Sequence, residues 1–161
     1  MSGTMLIKNI IDEDFVNYIK PSMMIIFPYC SFKCDRENNN KICQNRYIHT
    51  EPNIEINITK LVDRYLTNNI SRAIVCGGLE PMDSFDDLYL FIKELRRYSD
   101  DDIVIYTGYN RDEIVDKIHV LSREKNIIMK FGRYIPNQKT HYDPILGVNL
   151  ASDNQYAERI S

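Results

Sequence analysis

Cys30, Cys34 and Cys43 stand close together in a polar stretch, Cys-Ser-Phe-Lys-Cys-Asp-Arg-Glu-Asn-Asn-Asn-Lys-Ile-Cys. Thiolates are ligands for iron and zinc. Three of them hold three irons of a 4Fe–4S cluster and leave the fourth iron open. Structural zinc takes four protein ligands, and Cys76 or His49 would supply a fourth here. The plain alternative is that the thiols are small apolar side chains, but a loop this polar gives them little to pack against. Cys76 is different: it ends an apolar run and reads as a core residue.

These side chains need a rigid root. The run Met23 to Phe27 predicts a buried strand that empties directly into the cysteine segment, with Pro28 stopping the sheet pattern. Three further apolar runs follow at Ala73–Cys76, Ile103–Tyr106 and Ile127–Phe131. Between them lie helical patterns. Leu61, Val62, Tyr65 and Leu66 recur at helical spacing up to Asn68-Asn69. Phe85, Leu88, Tyr89, Ile92 and Leu95 form a second face, with Ser84 as N-cap and Asp87 three residues on. Ile114, Val115, Ile118 and Leu121 form a third, behind a capping pair Asn110 and Glu113. Met5 to Ile11 predicts a short edge strand, Tyr47 to Ile58 is irregular, and no periodicity remains after Gly132.

Short apolar strands alternating with amphipathic helices predict an α/β fold with a mostly parallel sheet. About four such units are too few for a closed eight-unit barrel. The expectation is therefore one domain over residues 1–161 built on an open or half-barrel sheet, with residues 132–161 as its irregular C-terminal segment. Ligands of such sheets sit beyond the carboxyl ends of the strands. The residues just past each strand are the three cysteines, then Gly77, Gly78 and Glu80, then Thr107 and Gly108. The candidate chemistry converges on one rim.

Composition excludes other classes. The chain has 161 residues, 43 % hydrophobic, with a net charge of −3. The Lys93, Arg96 and Arg97 group ends a helix, where cations complement the dipole, so no nucleic-acid footprint is expected. No apolar run approaches the ~20 residues of a membrane span. The N-terminus lacks a signal peptide's apolar core, which makes a cytoplasmic, reducing location the expectation. There, cysteines serve as ligands or core residues rather than disulfides.

Cys30-x3-Cys34, the third cysteine and Gly77-Gly78-Leu79-Glu80-Pro81 at the next strand's end resemble the radical S-adenosylmethionine superfamily. Three more pieces resemble, more narrowly, the activating proteins of anaerobic (class III) ribonucleotide reductase: Gln44-Asn45 after Cys43, the strand exit Tyr106-Thr107-Gly108-Tyr109, and Gly147 followed by Ala151-Ser152-Asp153-Asn154-Gln155. The resemblance spans roughly Met23 to Gln155. Two departures stand out. Eight residues, Asp35 to Ile42, separate the second and third cysteines where the family has two. Closing that longer loop costs about 1.2 kcal/mol, which cluster ligation absorbs. Leu79 separates the two glycines from Glu80.

The resemblance implies a partial radical-S-adenosylmethionine barrel whose Cys30, Cys34 and Cys43 hold a 4Fe–4S cluster. S-adenosyl-L-methionine would meet the backbone of Gly77 and Gly78, with Glu80 accepting from its ammonium. Thr107 would face the ribose or adenine edge, and Ile42 would offer an apolar contact. The implied activity is installation of a glycyl radical on anaerobic ribonucleotide reductase through a 5′-deoxyadenosyl radical. The electron would come from a low-potential donor such as flavodoxin or ferredoxin. The C-terminal segment is expected to cross the open side of the sheet and join the partner surface. His49, His119 and His141 share no spacing and read as surface or packing residues.

Overall fold

In a computed structural model of the chain, residues 3–29, 48 and 50–161 are described. Cys30, Cys34, Ile42, Cys43 and His49 lie outside the described residues. The strands are β1 Thr4–Ile7, β2 Asn9–Asp14, β3 Ser22–Phe27, β4 Ile54–Asn57, β5 Ala73–Gly78, β6 Ile103–Tyr106, β7 Ile127–Phe131, β8 His141–Asp143, β9 Val148–Leu150 and β10 Tyr156–Arg159. The helices are α1 Ile58–Leu66, α2 Phe85–Arg96 and α3 Val115–Leu121.

Six strands form the central sheet in the order β10-β7-β6-β5-β3-β2. The inner four, β3, β5, β6 and β7, are parallel, while β2 and β10 pair antiparallel at the edges. The order β3-β5-β6-β7 is also the order in sequence, so each crossover steps the same way. A chain that keeps its crossover hand and never reverses direction stacks its helices on one face. The burial agrees. Leu61, Leu88, Ile92, Ile118 and Leu121 from all three helices share one cluster with Met23, Ile25, Phe27, Ile74, Cys76, Ile105, Met129 and Phe131. The alternate residues, Val75, Val104 and Ile128, face the other way and pack with Tyr18, Leu146, Leu150 and Ala157.

Several expectations change on contact with this architecture. The Met5–Ile11 run is not one strand. It splits at Lys8 into β1, which pairs with β4 in a separate two-stranded ribbon, and β2, which joins the main sheet. The stretch before Ile58 is correspondingly less irregular than expected, because Ile54–Asn57 is β4. Asn57 rather than a later residue caps α1, its side chain accepting from Lys60 N at 3.0 Å.

Ser84 does not cap α2: a 3-10 turn, Pro81–Ser84, runs straight into the helix, and Ser84 makes no side-chain cap bond. The entry is capped instead by Glu80, whose carboxylate accepts from Met82 N. Asp87 accepts from Leu6 N at 3.2 Å and so ties the ribbon to α2. Asn110 and Glu113 do form a capping box, but around a 3-10 turn before α3, and Val115 faces solvent.

The segment after Gly132 departs most from its irregular reading. It contains the β8–β9 hairpin and then β10, which completes the main sheet against β7. Asp143 explains why these elements hold without an apolar pattern. Its buried carboxylate accepts from the backbone N–H groups of Ile145, Leu146 and Ala157, closing the hairpin turn and docking β10 with one side chain. Deleting the segment would remove an edge strand and part of a core cluster, so a truncation reports on folding rather than on partner binding.

A second carboxylate pins the opposite end of the sheet. Asp102 receives Tyr18 Oη at 2.7 Å, Lys20 Nζ at 3.0 Å and an Arg159 nitrogen at 3.1 Å. Burial pushes its carboxyl up, but the bonds from Tyr18, Lys20 and Arg159 outweigh burial and hold it below the ordinary value of 3.8. A carboxyl that is more acidic when folded adds stability that is complete above that ordinary value and drains away as pH falls through the folded value. Asp102→Asn is therefore expected to cost about 2 kcal/mol at neutral pH. The gap to wild type should close below about pH 4, which thermal melts across pH would show.

Candidate cofactor cleft

The sheet face opposite the helices is only partly covered. Toward the carboxyl ends of the parallel strands it opens into a cleft of about 550 Å³. Its floor is one register level across four strands: Ile26 beside Gly77, then Tyr106, then Lys130. One wall is Val148, Asn149 and Leu150 of β9, and the other is Ile11 and Val16 from β2 and its following loop.

Gly77 and Gly78 form the cleft's centre for different reasons. Gly78 has φ +84°, and a Cβ there would lie 2.3 Å from Ile26 Cγ2. It is glycine because the chain must turn there. At Gly77 a Cβ would meet only Met24 Cε at 3.2 Å and Tyr106 Cβ at 3.6 Å. Gly77 is buried, and its missing side chain leaves room on the cleft floor between Met24 and Tyr106.

Glu80 and Thr107 meet at the rim, from the exits of β5 and β6. Glu80 Oε1 accepts from Gly108 N at 2.8 Å and Oε2 from Met82 N at 3.1 Å, and the Thr107 hydroxyl also bonds the carboxylate. Thr107 Oγ1 in turn accepts from Tyr109 N at 3.0 Å. This clamp fixes two strand exits relative to each other. It also uses three of the roughly four acceptor positions of an ionised carboxylate. Burial pushes the Glu80 carboxyl up, against the lowering pull of those three donors. A cation entering the cleft would favour its ionised form.

Some cleft residues were not singled out by sequence. Lys130 is buried, donates to the Gly132 carbonyl at 3.0 Å and lies over the Tyr106 ring. Tyr106 Oη donates to the Asn17 carbonyl at 2.6 Å, and burial, then the charges of Asp14 and Asp143, push its phenol up. The signal for Lys130 was present: a lone lysine inside an apolar strand run, on the face opposite Met129 and Phe131. The C-terminal Ser152–Gln155 piece acts as a self-bonded turn. Gln155 Oε1 accepts from Ala151 N and Ser152 N, while Asn154 donates to the Arg133 carbonyl. It fastens the exit of β7 beside the cleft.

The cysteine-bearing stretch is anchored at both described ends. Tyr29 offers its carbonyl to Glu80 N at 2.7 Å, and Ile48 packs on Ile26 and Leu79 while lining the cleft. The cysteines and Ile42 themselves lie outside the described residues. Cys76 is fully buried on the helix face of β5, away from the cleft, and burial pushes its thiol up. Among the described residues no group of three or more His, Cys, Asp and Glu side chains is placed to hold a metal ion. Nor is any described helix long and apolar enough to cross a membrane.

The chain therefore pairs a parallel α/β core with a cysteine-bearing segment rooted at the rim of a ligand-sized cleft. The family model for the 4Fe-4S single cluster domain matches residues 22–154, and the chain belongs to that family. It is a 4Fe–4S cluster-binding domain. No curated protein and no solved structure matches it.

Proposed function

We propose that this chain is a radical S-adenosylmethionine activase that installs a glycyl radical on anaerobic ribonucleotide reductase. The observation that supports this most is the cleft. Gly77, Gly78, Glu80 and Thr107 meet there, beside both anchored ends of the cysteine segment, in a chain of a 4Fe-4S family. Its volume falls within the ~300–1,000 Å³ typical of small-molecule sites. In this reading the one-directional sheet is a partial barrel whose inner face is the cleft.

Cys30, Cys34 and Cys43 would hold three irons of the cluster, leaving the fourth for the amino and carboxylate groups of S-adenosyl-L-methionine. When bound, the pair supplies a one-electron cleavage of the sulfonium C–S bond and hence a 5′-deoxyadenosyl radical. The protein's own residues do the positioning. Gly77 presents backbone without a side chain, so the ligand can lie against the strand. Glu80 offers its remaining acceptor position to the ligand's ammonium while its other bonds keep the carboxylate still. Thr107 holds the rim through Glu80 and Tyr109, and Ile42 would offer an apolar contact. Ile26, Val148 and Leu150 keep water from the floor.

The test is anaerobic reconstitution with iron and sulfide, followed by reduction by dithionite or a flavodoxin- or ferredoxin-type donor. The expected result is about four irons per chain and, with the reductase added, a glycyl-radical doublet in the EPR spectrum. S-adenosylmethionine cleavage without the doublet would move the target elsewhere. One tightly held zinc with no iron would make the chain a non-catalytic metal module.

A further inference from the structure

Four carboxyl side chains are buried among the described residues: Asp14, Glu80, Asp102 and Asp143. Three of them are well compensated. Glu80 takes Gly108 N, Met82 N and the Thr107 hydroxyl, and Asp102 takes Tyr18, Lys20 and Arg159. Asp143 takes three backbone N–H groups. Asp14, 8 % exposed, differs. Its Oδ2 accepts from Asn17 N at 3.1 Å and Asn17 Nδ2 at 3.0 Å. Its Oδ1 accepts no hydrogen bond among the described residues, yet it is not sealed from solvent. Asp14 lines the cleft, so that oxygen has one place to find a donor.

A buried carboxylate has about four acceptor positions, and leaving it without a counter-charge costs stability. Folds keep such groups where a ligand supplies what is missing. No described cation supplies it here. Lys20 pairs with Asp102, and Lys130, on β7 across the sheet, donates to the Gly132 carbonyl and lies over the Tyr106 ring. The Asp14 charge is felt inside the cleft, where it joins burial in pushing the Tyr106 phenol up. Around Asp14 the lining is Ile11, Val16, Asn17, Met24 and Tyr106. These side chains are mostly apolar, with one aromatic ring, a surface that suits the hydrocarbon part of a charged group. Asn17 is fixed in place by Asp14 and by Tyr106 Oη, so the carboxylate is held ready.

We infer that Asp14 makes the amino-side end of the cleft a subsite for an organic cation, an ammonium or guanidinium group of the molecule on which the cleft acts. A metal ion is a poor occupant, since among the described residues no three His, Cys, Asp and Glu side chains gather. The cofactor is a poor occupant too. Asp14 pairs with Ser22, the first residue of β3, whereas the rim residue Gly78 pairs with Phe27, the last. That places roughly 16 Å of strand between the subsite and the rim where Glu80 would take the cofactor's ammonium. Lys130 repels a cation from the β7 side, and Asp14 draws it to the β2 side. The subsite stands whether or not the cleft serves a reductase.

The experiment titrates the reconstituted protein with benzamidinium and with benzamide, its neutral twin in shape, by calorimetry. Wild type is expected to bind the cation more than about tenfold more tightly than the amide. Asp14→Asn keeps an acceptor for both Asn17 bonds and removes only the charge. In this variant the preference should shrink to less than about twofold. Its melting temperature should equal or exceed that of wild type, because an uncompensated buried charge is gone. That result separates binding from folding, and Asp102→Asn, which loses stability, is the contrast. Saturating S-adenosylhomocysteine should leave the benzamidinium affinity unchanged. Equal affinities for the two probes in wild type, or no binding of the cation, would overturn the subsite. A preference that survives in Asp14→Asn would place the cation elsewhere, and a lowered melting temperature beside it would leave Asp14 as a turn residue only. Displacement of benzamidinium by S-adenosylhomocysteine would assign the carboxylate to the cofactor and overturn the proposal as well.

Discussion

Replacing Cys30, Cys34 or Cys43 by alanine, one at a time, is expected to abolish the 4Fe–4S cluster, whereas Cys76→Ala keeps it. Each proposed ligand holds one iron, and a cubane with two protein thiolates has two unsupported corners. The loss should therefore be near complete rather than graded, seen as iron and sulfide per chain and as the brown charge-transfer absorption. Cys76 is the control because the structure separates it physically. Its sulfur is buried against the helices, on the sheet face opposite the cleft. Burial keeps its thiol protonated, the form that does not ligate. Cys76→Ala should cost about 1–2 kcal/mol of stability from the small void it leaves and nothing in iron content. Iron that drops with Cys76→Ala at an unchanged melting temperature would mean that the ligand set is wrong.

What could be read from the chain beforehand follows a physical division. The four inner strands were legible because a strand buried on both faces is a continuous apolar run, and Met23–Phe27, Ala73–Cys76, Ile103–Tyr106 and Ile127–Phe131 all lie within observed strands. The helices showed through their apolar spacing, with errors at the ends. There, Ser84 lost its capping place to Glu80, a residue whose chemistry had drawn attention to the cleft instead. An edge strand was read over Met5–Ile11, which the structure splits into β1 and β2, but β4 and β10 were not legible. β4 and β10 are partly exposed, carry the charged residues Glu55, Glu158 and Arg159, and gain their order from pairing with strands far away in sequence. The C-terminal segment hid for the same reason: Asp143 organises it through three backbone N–H groups, which no periodicity records.

The cleft divides similarly. Gly77, Gly78, Glu80 and Thr107 were found because residues just past parallel strands share a rim. Their separate roles were not, since only the folded backbone tells a glycine required by the turn from one that opens a floor. Lys130 was hidden by facing the cleft from a strand whose other residues are apolar.

The two glycines should separate folding from binding more cleanly than any other pair. Gly78→Ala places a methyl group 2.3 Å from Ile26 Cγ2 and 3.2 Å from the Ile26 backbone, at φ +84°. The left-handed backbone alone costs about 1–2 kcal/mol for a residue with a Cβ. Displacing a strand that is buried and paired on both sides adds about 1–3 kcal/mol. Against a typical total of ~5–15 kcal/mol, the variant should melt far below wild type or fail to accumulate. Gly77→Val tests the opposite case. Its backbone is ordinary, and the nearest obstacle is the end of the flexible Met24 side chain at 3.2 Å. The strand should accept valine with little change in melting temperature, since β-branched side chains suit strands. The new methyl groups instead project onto the cleft floor between Met24 and Tyr106, where the ligand's backbone contact would be. Binding of S-adenosylhomocysteine to the reconstituted protein, measured by equilibrium dialysis, should weaken by more than about tenfold, the cost of overpacking by ~1–3 kcal/mol. A Gly77→Val protein that binds this ligand as wild type does would mean that nothing lies against the strand, and the cleft would lose its claim to the cofactor.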